Sequence, residues 1–310
     1  MGAVRPFRQA GEMWYLQDST VEELVITHDG ASLAASYSPA GSTALIALHG
    51  AGAGTRDYFL YRNLHELLPP NGIGVVTFDR RGEGRSTGDA SRGRFEVQAA
   101  DALAVRDAID AQHVGLWGIS QGGWIAPLAA SESDRIDFVV GIASTGVTPS
   151  EQMMYAVAQQ FERAGYGQAA VKRVLALRRF YEDHVHGRAP GREAELAAEL
   201  EAAMNEPWWL LAFLPPVPLD AEGCRLWIEE MDFDPRSVFR KVRVPALMFY
   251  GEDDAWTPVE PSVQAWREAR GDDVEIVVIP GASHELCLED DMLSPVYEDR
   301  LVDWLCGLRF

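Results

Sequence analysis

The sequence predicts an α/β protein: a mostly parallel, eight-stranded sheet with helices on both faces and an inserted helical segment. Three observations predict this. Apolar runs of strand length alternate with stretches of helical spacing. Most of these runs are apolar throughout, as in strands covered on both faces. The alternation stops only between about residues 148 and 240, which carry helical patterns and no strand. The 310 residues suit one large domain with such an insertion, and a 47% hydrophobic, 24% charged composition is that of a globular chain.

The first two strand segments, "LVITHDG" (24–30) and "SLAASYS" (32–38), flank Asp29-Gly30, a two-residue hairpin signal. Six more follow: "TALIALHG" (43–50), "IGVVTFDRRG" (73–82), "VGLWGIS" (114–120), "DFVVGIAST" (137–145), "ALMFYGED" (246–253) and "VEIVVIPGA" (274–282). Helical segments lie between them at 57–70, 95–112, 122–132 and 259–270, with a last one at 295–308. Strand followed by helix, repeated, builds a parallel sheet. The irregular region holds helical stretches at 150–165, 169–187 and 192–205, then "EPWWLLAFLPPVPLD". It is too long for a structureless loop. The expected organisation is a core of 1–147 and 241–310 with a helical cap at 148–240.

Charge and cysteines narrow the function classes. The balance of 27 basic and 47 acidic residues, −20, repels phosphate backbones and anionic lipid. No nucleic-acid or membrane partner is expected. The three cysteines form no CxxC pair, so reduced thiols are expected. The N-terminal "MGAVRPFRQAGEMWYLQ" has no apolar core of a signal peptide, and no membrane-length apolar run follows. These readings give a cytoplasmic protein; homo-oligomer formation is left open.

The chemistry centres on "LWGISQGGW" (116–124). Gly118-Ile119-Ser120-Gln121-Gly122 fits G-x-S-x-G and lies between a strand and a helix. That context suits a nucleophile projecting from a tight strand-to-helix turn. A serine nucleophile needs a base, and the base needs an orienting carboxylate. "GEDDAWTP" (251–258) and "PGASHEL" (280–286) offer a carboxylate and the imidazole of His284, each after a late strand. The glycine loop "HGAGAG" (49–54) fails the dinucleotide register and lacks a P-loop lysine. His184 and His186, two apart on a helix, face different ways and read as a solvated helix end, not a metal site.

Four features together resemble the α/β-hydrolases. They are His49-Gly50, the run Asp79-x-Arg81-Gly82-x-Gly84-x-Ser86, the GISQG turn, and the late Asp and His loops in the chain order Ser, Asp, His. The nearer likeness is to bacterial hydrolases related to the dienelactone hydrolase and serine aminopeptidase groups, whose serine turns often read WGxSxGG. The resemblance implies an α/β-hydrolase fold and a triad of Ser120, His284 and Asp254. Asp254 is favoured over Asp253 because the family's acid stands three residues after the strand-end glycine, here Gly251. It also implies an oxyanion hole from the amides of Ala51 and Gln121, with Asp79 and Arg81 fixing the loop behind it.

In the insertion, Trp208, Trp209, Trp227, Phe213 and Phe233 form an aromatic cluster, with Met153, Met154 and Phe161 on one helix. Packing explains most of these. Trp208, Trp209, Phe213 and Met153 are the candidates for a substrate pocket. Trp124 is expected to pack beneath the turn, and Cys287 to be inert. The resulting expectation is a serine hydrolase of esters of small, largely apolar acyl compounds, with no metal or organic cofactor. A peptidase or amidase, an acyltransferase and a ligand-binding protein on the same scaffold are the alternatives.

Overall fold

A computed structural model describes residues 21–52, 54–90 and 94–310. The reading of residues 1–17 as lacking a leader, and Ala53 of the glycine loop, lie outside the described residues. Strands β1 (Glu22–His28) and β2 (Ala31–Ser38) pair antiparallel and close with His28 opposite Ala31. Asp29 and Gly30 both take left-handed φ, 40° and 73°. Both central residues of a type I′ turn need that conformation, which is why Asp-Gly stands there.

The remaining strands are β3 (Thr43–Leu48), β4 (Ile73–Phe78), β5 (His113–Ile119), β6 (Phe138–Ile142), β7 (Ala246–Gly251) and β8 (Val274–Ile279). The sheet order is β1-β2-β4-β3-β5-β6-β7-β8. Every pairing from β4 to β8 is parallel, so these six strands end at the same edge. β4 and β7 are buried along their whole length, as their unbroken apolar runs predict. β8 forms one border of the sheet and leaves Val278 exposed.

Helices α1 (Phe59–Leu67), α2 (Phe95–Asp107) and α3 (Gly122–Glu132) follow β3, β4 and β5. Successive side chains of β3 go to opposite faces: Ile46 joins a core with Ala99, Ile125 and Trp266, and Leu45 joins another with Leu60, Leu301 and Leu305. Both faces of the sheet are therefore covered.

Between β6 and β7 the chain leaves the sheet. It forms α4 (Pro149–Arg163), α5 (Gln168–Val185), α6 (Glu193–Met204), a 3-10 turn at Trp209–Ala212, α7 (Ala221–Met231) and α8 (Pro235–Phe239). After β7 come α9 (Val259–Arg270) and, beyond β8, α10 (Pro295–Gly307). Sequence "TPSE" starts α4 as a capping box: Glu151 N–H donates to Thr148 Oγ1 at 3.2 Å, and Thr148 N–H donates to the Glu151 carboxylate at 3.0 Å. α4 to α6 and the 3-10 turn share a core of Val157, Phe161, Val174, Tyr181, Leu196, Leu200 and Trp208.

Three expectations need amendment. Helices α7 and α8 were not foreseen, and α8 packs with the sheet, where Phe239 stacks on Trp266 at 3.9 Å. Phe233 likewise lies against Phe95 of α2, centroids 5.0 Å apart, instead of in the insertion's aromatic cluster. The imidazoles at the end of α5 are braced instead of solvated: His184 contacts the Leu219 carbonyl at 3.0 Å, and His186 bonds the Glu182 carbonyl at 2.7 Å and Asp232 at 2.9 Å. Among the described residues no helix is long and apolar enough to cross a membrane.

Candidate active site

Ser120 follows the last residue of β5 and has φ of 53°. A left-handed non-glycine residue stores strain, and it persists only where its surroundings fix it. They do so here. Ser120 N–H donates to the Ile142 carbonyl at 2.8 Å, tying the turn to the end of β6. A Cβ at Gly118 would collide with the Gly122 carbonyl, and one at Gly122 would stand 2.7 Å from the Leu48 carbonyl. Both positions admit only glycine, so the two flanking glycines of the motif have a steric cause. The second approach also seats the start of α3 against the end of β3. An added Cβ at Gly50 would lie 3.5 Å from Ser120 Cβ. The glycine loop and the serine are thus neighbours. Neither the Ala51 nor the Gln121 amide is taken up by a hydrogen bond among the described residues.

The acid and the histidine come from the ends of β7 and β8. Asp253 N–H donates to the Ala282 carbonyl at 2.9 Å, which joins the two loops. Asp254 is buried, and its Oδ2 lies 2.8 Å from His284 Nδ1. Its Oδ1 accepts from the amides of Trp256 at 2.7 Å and Thr257 at 2.9 Å. A carboxylate accepting at Oδ2 requires the proton on Nδ1, which leaves Nε2 of the neutral ring as the acceptor. Asp253 is exposed and its side chain makes no contact with His284. Between the two neighbours, the structure pairs His284 with Asp254. Ser120 stands at the same sheet edge, without a hydrogen bond from its Oγ to His284. Serine–histidine bonds of unliganded sites are commonly long and tighten only around substrate. Leu286, also left-handed at φ 61°, bends the histidine loop.

His49 is buried, with its ring edge-on to Tyr61 and Phe78. Burial, and next the Arg80 guanidinium, push its pKa down to about 3, so it is a neutral packing group at ordinary pH. Asp79 and Arg81 were expected to fix the loop behind the oxyanion segment, and Asp79 bonds the loop amides there. Asp79 Oδ1 accepts from Arg56 N–H at 2.8 Å and Oδ2 from Arg85 N–H at 2.9 Å. Arg81 instead turns into the core and grips Asp101 with two bonds, 2.6 and 3.0 Å. The residue that holds the glycine loop is Arg80, which sequence reasoning missed: its guanidinium donates to the carbonyls of Gly50 and Gly52, and its N–H to that of Gly54. The signal was available, because consecutive residues leaving a strand face opposite sides.

Other expected residues separate. Trp208 is buried inside the insertion, 5.4 Å from Phe161 and beneath the Arg173 guanidinium, and Met153 packs on the same core. Trp209 is also part of that packing. Phe213 is the one of the four that reaches the acid loop: its ring meets Trp256 edge-on at 5.4 Å. Trp124 is buried and donates to the Thr145 carbonyl at 2.7 Å. Tyr58 Oη donates to Glu285 at 2.7 Å, bridging the segment after the glycine loop to the residue beside His284.

A family of the alpha/beta hydrolase fold matches residues 43–291, which include every residue of this site. The chain belongs to the α/β-hydrolase fold family. A non-heme haloperoxidase of Rhodococcus erythropolis is 26% identical over 230 residues, which covers 71% of this chain and 79% of that one. Among solved structures, a Pyrococcus furiosus esterase superposes with a TM-score of 0.63 at 19% identity, covering 97% of this chain and 95% of its own. Est1E from Butyrivibrio proteoclasticus, solved with ferulic acid bound, gives 0.59 at 18% identity and covers 91% and 97%. At such identities these structures speak for the α/β-hydrolase fold alone.

Proposed function

We propose that the chain is a serine hydrolase that cleaves a carboxylic ester, or a related acyl bond, of a small and largely apolar molecule. The observation that carries this reading is the Asp254–His284 bond at the sheet edge where Ser120 is held at left-handed φ. Ser120 Oγ attacks the carbonyl carbon. His284 Nε2 takes the serine proton, and Asp254 stabilises the imidazolium that forms. The amides of Ala51 and Gln121 receive the oxyanion, a role for which one donor is typically worth roughly 3–4 kcal/mol. His284 then protonates the leaving alcohol, and water activated by the same imidazole releases the acid and restores Ser120. This sequence needs no group beyond the chain's own residues.

The edge-on pair of Phe213 and Trp256, next to the acid, supports an apolar acyl compound. The free thiols Cys224, Cys287 and Cys306 support a reducing compartment such as the cytoplasm. Burial, then the carboxylate of Glu285, pushes the Cys287 thiol up, which disfavours a thiolate nucleophile.

The test is turnover of a chromogenic short-chain ester together with fluorophosphonate labelling. Ser120→Ala is expected to abolish both, and Cys287→Ala to leave labelling intact. Labelling that survives Ser120→Ala overturns the assignment.

A further inference from the structure

The helical insertion does more than lie between β6 and β7. Three of its side chains converge on three residues of the acid loop. From α4, Tyr155 Oη donates to the Asp254 carbonyl at 2.9 Å, and Arg163 donates to the Asp253 carbonyl at 2.5 Å. Eight residues separate the two donors, close to two helical turns, so one side of α4 grips two consecutive carbonyls. From the end of the 3-10 turn, Phe213 meets Trp256. Phe213 is itself held in a left-handed conformation at φ 47°. The buried Arg178 guanidinium donates to the Ala212 and Phe213 carbonyls at 2.6 and 3.0 Å.

We propose that Tyr155 is a positioning residue for the Asp254–His284 pair, so that the seating of the insertion sets the hydrogen bond that orients the catalytic imidazole. The inference rests on the triad reading above. The Asp254 side chain is held by amides of its own loop and by His284, and the sheet side holds the loop through Asp253 N–H and Glu252 N–H. The Asp254 carbonyl points to the insertion, and Tyr155 is the group that secures it. Arg163 is exposed, where water competes for its bond. Tyr155 is half-buried, and its phenol is shifted up by burial and by Asp254, so it remains a donor at neutral pH. The charged and titratable groups around the pair are Tyr155 and Arg163 from α4, Tyr250 from β7, Glu252 and Asp253 from the acid loop, and Glu285 with Tyr58 and Cys287 on the histidine side.

Loosening the acid loop lengthens the Asp254–His284 bond that orients the imidazole. The experiment follows the His284 ring resonances and its Nδ1 proton by NMR in the full chain, beside steady-state kinetics. Tyr155→Phe is expected to shift the Nδ1 proton resonance, as weakening of one hydrogen bond does. It is expected to cut kcat by about three- to tenfold, with KM changed less than about twofold. Arg163→Ala is expected to move the same resonance in the same direction by less, and it decides the matter if Tyr155→Phe does not fold. An unmoved His284 Nδ1 proton overturns the proposal, whatever happens to kcat; so does a raised KM with kcat intact. Fluorophosphonate labelling of the wild-type chain separates the two readings. An unlabelled Ser120 overturns the triad, whereas a labelled Ser120 with an unmoved His284 overturns only the positioning role.

Discussion

Asp253 and Asp254 are chemically identical neighbours, and burial separates their roles. Asp254 points inward, accepts two loop amides and meets His284, while Asp253 faces water. Asp254→Asn replaces an acceptor that fixes the Nδ1 proton, so the imidazole loses its tautomer; kcat is expected to fall roughly 10³- to 10⁴-fold. Asp253→Asn keeps the backbone carbonyl that Arg163 uses, and steady-state kinetics should show kcat within about twofold of wild type, as for exposed positions generally. A second adjacent pair makes the same point. Arg80→Ala removes the donors to Gly50 and Gly52 and frees the loop that carries the Ala51 amide; kcat is expected to drop roughly 10- to 100-fold with little change in melting temperature. Arg81→Ala strands Asp101, which is 2% exposed, and denaturant melts should show a loss of about 3–5 kcal/mol. Asp254 stood out from Asp253 through its spacing from Gly251, a register that the family resemblance supplies, and it is the one of the two that meets His284. The sequence did not show Arg80, because "DRRGE" presents several charges at once and only the strand's exit direction sorts them.

The elements were legible in proportion to how much apolar surface each one buries. The central strands were readable as unbroken apolar runs because helices cover both their faces, and the serine turn because two glycines are sterically forced. Helix α7 left no such mark: none of its side chains is fully buried, and its start is fixed by a single Asp220 cap on Gly223 N–H at 2.8 Å. The five-residue α8 is too short for a periodic signal. Leu219, the partner of His184, and Asp232, the second partner of His186, lie 35 and 46 residues away, so a local reading sees only a polar helix end. At the start of α4 the signal was complete in "TPSE", and it has a consequence. Thr148→Ala breaks the capping box, for which about 1 kcal/mol is typical. Thermal melting should fall by about 2 °C in a chain of this size. Because α4 carries Tyr155, the same variant tests whether fraying at the helix start reaches the acid loop: the His284 Nδ1 proton resonance should shift, by less than in Tyr155→Phe.

At the scale of the whole molecule, the sheet gathers the site and also determines how the fold responds to acid. Six parallel strands end at one edge, and the loops after β3, β5, β7 and β8 carry Ala51, Ser120, Asp254 and His284, the amide donor, nucleophile, acid and base of the proposed reaction. Packing of the fold encloses two imidazoles outside the proposed reaction, His49 fully and His65 in part. Burial pushes His49 down to about 3 and His65 down to about 4, the latter between Ser38 Oγ and Thr77 Oγ1 at 2.8 and 3.0 Å. Both folded values lie below the unfolded value, so on acidification the unfolded chain takes up protons that the native chain refuses. The stability they contribute is complete above pH of about 6.5 and is lost as pH falls toward 4 and then 3. If both groups behave in this way, stability falls by up to about 2.7 kcal/mol per pH unit between pH of about 6 and 4.5. His186 opposes part of this: although burial pulls it down, its bonds to Asp232 and the Glu182 carbonyl raise it overall, so its contribution is present at low pH and lost on the alkaline side. Urea unfolding at a series of pH values measures the slope. His65→Gln, which removes one of the two titrations, should flatten it by about 1.4 kcal/mol per unit. An unchanged slope in that variant would mean that carboxylate protonation, and not buried imidazole, governs the acid unfolding of this chain.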